Sequence, residues 1–160
     1  MSLGSLLLHG ALAGAAGTAA LDATTYADMA LRGRPASTTP EQTVERGARL
    51  VGVAIPGDAE QRRSRTTGIG AVLGAAAGTA AGVAVAAVRG TTGRPRGRVG
   101  TTALTFAVAM LVGNGPMTLL GVTDPRTWRR VDWLADVIPH AAYAVTAAAA
   151  LEAMEPDVNA

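Results

Sequence analysis

Six polar side chains in this sequence are spaced so that they can meet inside a helical bundle. Asp22 and Tyr26 are four residues apart, and so are Asp136 and His140. Residues with this spacing share one face of an α-helix. A carboxylate beside an imidazole can exchange a proton, and the amide of Asn114 can donate to either group. We therefore treat the following residues as a candidate intramembrane polar cluster: Asp22, Tyr26, Asn114, Asp136, His140 and Tyr143.

Several residue types on which enzymes depend are missing from the chain. There is no Cys, and all fourteen basic residues are Arg. Thiolate chemistry, Schiff bases and a P-loop lysine are thereby excluded. A net charge of +2 with 3% aromatic residues does not favour nucleic-acid binding. We expect no catalytic residues, no metal and no cofactor, and a lipid-modifying enzyme that uses Asp136 and His140 as acid and base is the weakest alternative.

The elements that must position the polar residues are membrane-spanning helices. The chain has 160 residues, of which 49% are hydrophobic and 16% are charged. Four apolar segments approach the ~20 residues that cross a hydrocarbon core: residues 3–26, 66–88, 101–122 and 133–151. We predict an all-α fold, a single four-span integral membrane domain over residues 1–160. Alternatives are a secretory signal peptide for the first segment, which lacks a preceding basic residue, and a soluble Ala-rich bundle, which the absence of a polar face in the second segment disfavours.

A glycine row in the second segment predicts close helix packing. Gly70, Gly74, Gly78 and Gly82 recur at every fourth position, and such rows let a second backbone approach closely. The first segment offers a matching row in Gly10, Gly14 and Thr18. We predict that these two helices pair, and the alternative is a homo-oligomer formed through the same glycines.

The connection between the first two segments has structure of its own. Thr39-Pro40-Glu41-Gln42 resembles a capping box, which predicts a short amphipathic surface helix that ends at Pro56-Gly57. A second cap at Asp58-Ala59-Glu60-Gln61 predicts a helix that runs unbroken into the membrane. Near its start, Arg62, Arg63 and Arg65 are expected to lie at the lipid headgroups as anchors.

The distribution of Arg predicts the orientation in the membrane. The connection 32–65 holds seven Arg and the connection 121–132 holds three, whereas the middle connection holds four. Because basic connections stay in the cytoplasm, we expect loop 32–65 inside and both termini outside.

Extending the helical rows places the polar residues at one level. The row Gly10, Gly14, Thr18 continues to Asp22 and Tyr26, which predicts that both face the bundle. Antiparallel helices then bring Asp22, Asn114, Asp136 and His140 to the membrane edge beside the first and third connections. The third helix is expected to break or kink at Gly113-Asn114-Gly115-Pro116. Polar groups at this depth mark either a pathway or helix-to-helix hydrogen bonds, and both interpretations stay open here.

Two stretches resemble small four-helix integral membrane proteins of actinobacteria. They are LDATTYADMALRGRPAS followed by TPEQTVE in the first third, and GVTDPRTWRRVDWLADVIPHAAY near the end. The resemblance implies a multi-pass protein of the bacterial plasma membrane and carries no activity. We expect a structural or partner-binding membrane component, in contact with the bilayer and with a second copy or a larger complex. The alternative is a small proton- or cation-linked transporter or channel that uses the polar cluster.

Overall fold

Five α-helices and one short 3-10 turn make up the part of the chain described by the computed structural model, residues 2–92 and 97–154. The helices are α1 (Leu3–Arg32), α2 (Thr39–Leu50), α3 (Ala59–Thr92), α4 (Gly97–Leu119) and α5 (Arg130–Met154), and the turn is Pro125–Thr127. Within these residues there is no strand. Four helices, α1, α3, α4 and α5, are long and apolar enough to cross a membrane, counting described residues only.

The helices extend beyond the expected apolar segments because polar interactions prolong them. In α1, Arg32 pairs with Asp28 one turn earlier at 2.6 Å. At the start of α3, the Gln61 amide donates to Asp58 Oδ1 at 2.9 Å, and the Asp58 amide donates to Gln61 Oε1 at 3.3 Å. This reciprocal capping box confirms the predicted helix start.

The expected start of α2 is wrong by one residue, and its expected end is wrong by several. Its N-cap is Thr38, without a side-chain cap to the backbone, so Thr39 does not cap it. It ends at Leu50, well before Pro56, because Gly52 adopts a φ of 71° that other residues rarely reach. The Val53 amide then donates to the Ala48 carbonyl at 2.9 Å, and the Gly52 amide to the Arg49 carbonyl at 3.2 Å, which is a Schellman end.

The third apolar segment also ends early, since α4 stops at Leu119 rather than at residue 122. Gly121, at a φ of 66°, turns the chain toward α5. Against expectation, α4 does not break between Gly113 and Gly115, and Pro116 lies inside the continuous helix.

Each long helix runs antiparallel to the long helix before it in the chain. α1 packs along both α3 and α5. α4 packs against α3 and α5, and α2 packs against α3. One end of the bundle carries the α1 to α3 and α4 to α5 connections with their ten Arg, and we call it the basic end. The opposite end, which carries Leu3 and Met154, is the terminal end. The core lies toward the terminal end and is formed by small and medium side chains: Ala13, Ala81, Val85, Ala86, Ala109, Tyr143, Ala147 and Leu151.

Large apolar side chains lie on the outside of this bundle. Leu12, Val72, Leu111 and Val145 are 50%, 70%, 71% and 59% exposed. By contrast, buried Thr105 satisfies its hydroxyl by donating to the Thr101 carbonyl of its own helix at 2.8 Å. A surface of Leu and Val around an interior of Ala, Gly and Thr is typical of helices that face lipid.

Candidate functional site

The closest helix contact is between α1 and α3, toward the terminal end. A Cβ built on Gly14 would lie 2.6 Å from the Gly78 carbonyl oxygen, and one on Gly10 would lie 2.7 Å from the Val83 Cα. A Cβ on Gly82 would in turn meet the Gly10 carbonyl and the backbone of Gly14. Any side chain at these positions would force two backbones apart, so glycine is required sterically.

The glycine row of α3 loses this contact toward the basic end. A Cβ on Gly74 would meet nothing within 4 Å. One on Gly70 would lie 3.1 Å from Pro40 of α2, so Gly70 faces α2 rather than α1. Residues 71–76 are all exposed, over more than one full turn. Two of the four glycines in the row, Gly70 and Gly74, therefore take no part in the contact with α1.

α1 shows a similar loss of contact in its next turns toward the basic end. Asp22 and Tyr26 continue the row that contacts α3, yet both are exposed, Tyr26 by 63%. The expectation that they face the packed bundle is wrong, because both side chains are exposed and the close contact of α1 with α3 ends near Thr18 and Gly78. We call the exposed surface formed by Asp22 and Tyr26 of α1 and by residues 71–76 of α3 the α1–α3 gap.

Three of the six predicted polar residues do come together, between α4 and α5. Asn114 Nδ2 donates to Asp136 Oδ2 at 3.0 Å. His140 Nδ1 lies 3.5 Å from Asp136 Oδ1 but only 2.8 Å from the Asp136 carbonyl oxygen. Because a carbonyl only accepts, Nδ1 carries the proton and Nε2 is left facing Gly113 of α4. We call Asn114, Asp136 and His140 the α4–α5 cluster.

The α4–α5 cluster is shielded but not sealed. Asn114 is 9% exposed, and the side chains of Asp136 and His140 are 20% and 13% exposed. At the other end of the same helix pair, Arg98 Nε donates to Glu152 at 3.1 Å. α4 is thus tied to α5 by polar contacts at both ends.

Tyr143 does not join the cluster. Its hydroxyl donates to the Gly78 carbonyl of α3 at 2.7 Å, and its side chain is 1% exposed. The ring lies on Gly17 of α1, where a Cβ would be 2.7 Å from two ring carbons. Tyr143 therefore fills the space where α1, α3 and α5 meet.

The arginines expected at the headgroups differ in their contacts. Arg65 Nη1 donates to the Pro56 carbonyl, which holds the connection before α3. The guanidinium groups of Arg62 and Arg63 are exposed and have neither a hydrogen bond nor an ion pair within the described residues. Of these three arginines, Arg62 and Arg63 are therefore the two whose guanidinium groups are free to meet a headgroup.

The connection between α4 and α5 has its own ion pair. Asp124 accepts the Arg126 amide at 3.0 Å and the Arg126 guanidinium at 2.9 Å. The hydrogen bond from the Arg126 side chain holds the pKa of Asp124 below its ordinary value. Both residues are thus charged and mutually satisfied at neutral pH.

Sequence reasoning missed the residues that receive the functional side chains. Gly17 and Gly113 admit the rings of Tyr143 and His140 and lie outside the rows of four. Glu41 was assigned to a cap, but its Oε1 accepts from Thr67 Oγ1 at 3.0 Å and so ties α2 to α3. The sequence signal for these two ring contacts is that Gly17 and Gly113 are glycines in segments otherwise rich in Ala.

The part of the chain described here contains no group of three or more His, Asp or Glu residues arranged to hold a metal ion. Comparison with protein-family models, with curated proteins and with solved structures finds no match to this chain. The resemblance to actinobacterial four-helix proteins therefore stays a prediction.

Proposed function

We propose that the protein is a multi-pass component of the bacterial plasma membrane that binds a partner through the α1–α3 gap. Its support is the apolar exterior of the four long helices, which matches lipid along their length. The Arg distribution supports a cytoplasmic basic end and a terminal end outside. In this proposal the terminal half of the bundle is a rigid glycine-packed scaffold, in the manner of a glycine zipper.

The exposure of Asp22 carries the proposal. Gly17 lies against Tyr143 of α5, so Asp22 lies about one turn farther along α1 toward the basic end, near the level of the α4–α5 cluster. A carboxylate at the edge of the hydrocarbon is costly unless a partner or water meets it. Residues 71–76 of α3, up to about one turn nearer the terminal end, are mostly Ala and Gly, which leave room for a second backbone. A partner helix with a hydrogen-bond donor at this level would bind the Asp22 carboxylate and pack against residues 71–76 of α3.

Single-cysteine cross-linking tests this proposal cleanly, because the chain has no native Cys. Ala23→Cys places a thiol beside Asp22, and Val145→Cys places one on the exposed side of α5 as the control. In native membranes we expect one discrete cross-linked species from position 23 and none from position 145. Adding Asp22→Leu to the position 23 variant should abolish that species. Equal cross-linking from both positions, or cross-linking that survives Asp22→Leu, would contradict partner binding in the gap.

A proton- or cation-linked transporter is the second candidate, and the α4–α5 cluster is the observation that favours it. The Asp136 carboxylate accepts a hydrogen bond from Asn114 and lies beside the largely buried imidazole of His140. Such a pair can take up and release a proton. However, the terminal half of the bundle is filled by the side chains of Tyr143, Val85 and Leu151, each at most 2% exposed. A pathway from the cluster would have to pass these side chains.

Proteoliposomes loaded with a pH-sensitive dye distinguish the two functions. The partner-binding proposal expects no proton flux above that of empty vesicles. Proton flux that is present in the wild type and lost in Asp136→Asn would establish transport and would favour it over the partner-binding proposal.

A further inference from the structure

The basic end carries ten Arg against seven acidic residues: Asp28, Glu41, Glu45, Asp58, Glu60, Asp124 and Asp132. Four acidic side chains there are each engaged by a nearby Arg: Asp28 by Arg32 and Arg34, Glu45 by Arg49, Asp124 by Arg126, and Asp132 by Arg129. The guanidinium groups of Arg46, Arg62, Arg63 and Arg130 form no hydrogen bond or ion pair with any residue that the structure describes. All four are exposed.

The packing of α2 against the first part of α3 forms a corner at the basic end, and these two helices carry three of the four arginines. The two helices are joined there by the Thr67 to Glu41 hydrogen bond and by the contact of Gly70 with Pro40. Arg62 and Arg63 belong to the first turns of α3, and Arg46 belongs to α2.

The corner lies at the depth of the phosphate groups. The apolar run of α3 begins at Thr66, so Arg62 and Arg63 are about one turn, or ~5 Å, outside the hydrocarbon. The end of α2 adds apolar surface at the same end of the bundle: Leu50, Val51 and Val53 are 68%, 73% and 59% exposed. Guanidinium groups beside exposed apolar side chains match a headgroup phosphate above acyl chains.

We infer that the corner formed by Arg46, Arg62 and Arg63 with Leu50, Val51 and Val53 binds anionic phospholipid of the membrane leaflet. Each free guanidinium can hold a phosphate oxygen pair, and the net negative charge of the headgroup balances the excess of Arg. The apolar end of α2 inserts among the acyl chains and fixes the helix on the bilayer surface. This inference rests on the proposed membrane integration but not on the partner in the α1–α3 gap.

Lipid titration of the purified full chain in neutral detergent tests the inference. Phosphatidylglycerol is compared with phosphatidylcholine, and binding is followed by the shift in thermal unfolding and by native mass spectrometry. We expect phosphatidylglycerol to bind more tightly and added salt to weaken it. Arg62→Ala with Arg63→Ala should reduce its affinity by about fivefold per arginine.

The matched control removes the same charge from the same end. Arg126→Ala with Arg129→Ala deletes two arginines that are already paired with Asp124 and Asp132, so lipid affinity should change less than twofold. If the first double variant fails to fold by circular dichroism, the single variants Arg62→Gln and Arg63→Gln replace it.

Three results would overturn the inference: equal affinity for the two lipids, equal losses in the two double variants, or stabilisation by inorganic phosphate that matches that of the lipid. Extraction of the protein from membranes by alkaline carbonate would instead refute membrane integration itself. Retention in the membrane without an anionic preference would refute only the lipid site.

Discussion

Replacing Gly82 by Ala tests whether α1 and α3 are in backbone contact. The new Cβ would lie 2.6 Å from both the Cα and the amide nitrogen of Gly14. Backbone atoms cannot move aside by a rotamer change, so α1 must shift by about 1 Å to restore ordinary contact. Gly74→Ala is the matched control, because it makes the same change in the same helix row where a Cβ meets nothing within 4 Å.

The two substitutions should differ in the sign of their effect on stability. Overpacking costs about 1 to 3 kcal/mol, and exchange of Gly for Ala in a helix returns up to ~1 kcal/mol. Because the new Cβ would meet backbone atoms that cannot yield, we take the upper part of the overpacking range, about 2 to 3 kcal/mol, and expect Gly82→Ala to lower the free energy of unfolding by about 1 to 2 kcal/mol. Gly74→Ala should leave it unchanged or raise it by up to ~1 kcal/mol.

Unfolding in mixed micelles with increasing dodecyl sulfate, followed by far-UV circular dichroism, measures both variants on one scale. Equal destabilisation by the two substitutions would show that Gly74 is also packed and would refute the loss of contact toward the basic end. A neutral Gly82→Ala would refute the close contact itself.

Two further substitutions test the polar contacts by the same assay. Tyr143→Phe removes the hydrogen bond to the Gly78 carbonyl and should lower the free energy of unfolding by about 0.6 kcal/mol, since the ring still fills its site. A loss above ~2 kcal/mol would show that the hydroxyl does more than join two helices. Asn114→Ala leaves the half-shielded Asp136 carboxylate without its amide donor and should cost more, about 1 to 3 kcal/mol. If Asp136→Asn made Asn114→Ala cost no less, the two side chains would not be energetically coupled.

Helix positions were predictable because apolar run length and capping residues act locally. The reciprocal cap at Asp58 and Gln61 and the contact of Asn114 with Asp136 follow from spacing alone. The pairing of α1 with α3 also follows, since Gly10 and Gly14 match Gly78 and Gly82 in a row of four.

The α1–α3 gap was not predictable from these local patterns. A row of four continues through Asp22 and Gly74 as regularly as through Gly14 and Gly78, so the sequence carries no mark of where the contact between two helices ends. Pro40 of α2 lies against Gly70, so at this turn α3 contacts α2, a tertiary contact that the spacing of the glycines does not show. The early end of α2 at Gly52 was missed because Pro56-Gly57 gave a stronger stop signal farther along the chain.

Labelling of single cysteines with a membrane-impermeant maleimide tests the four-span arrangement most directly. Ser2→Cys and Ala153→Cys place thiols at the terminal end, and Ser37→Cys and Thr127→Cys place them in the two connections of the basic end. In intact cells we expect the first pair to be labelled at once and the second pair only after the membrane is permeabilised. Labelling of Ser2→Cys and Ala153→Cys from opposite sides, or equal labelling of all four in intact cells, would contradict a bundle that crosses the membrane four times.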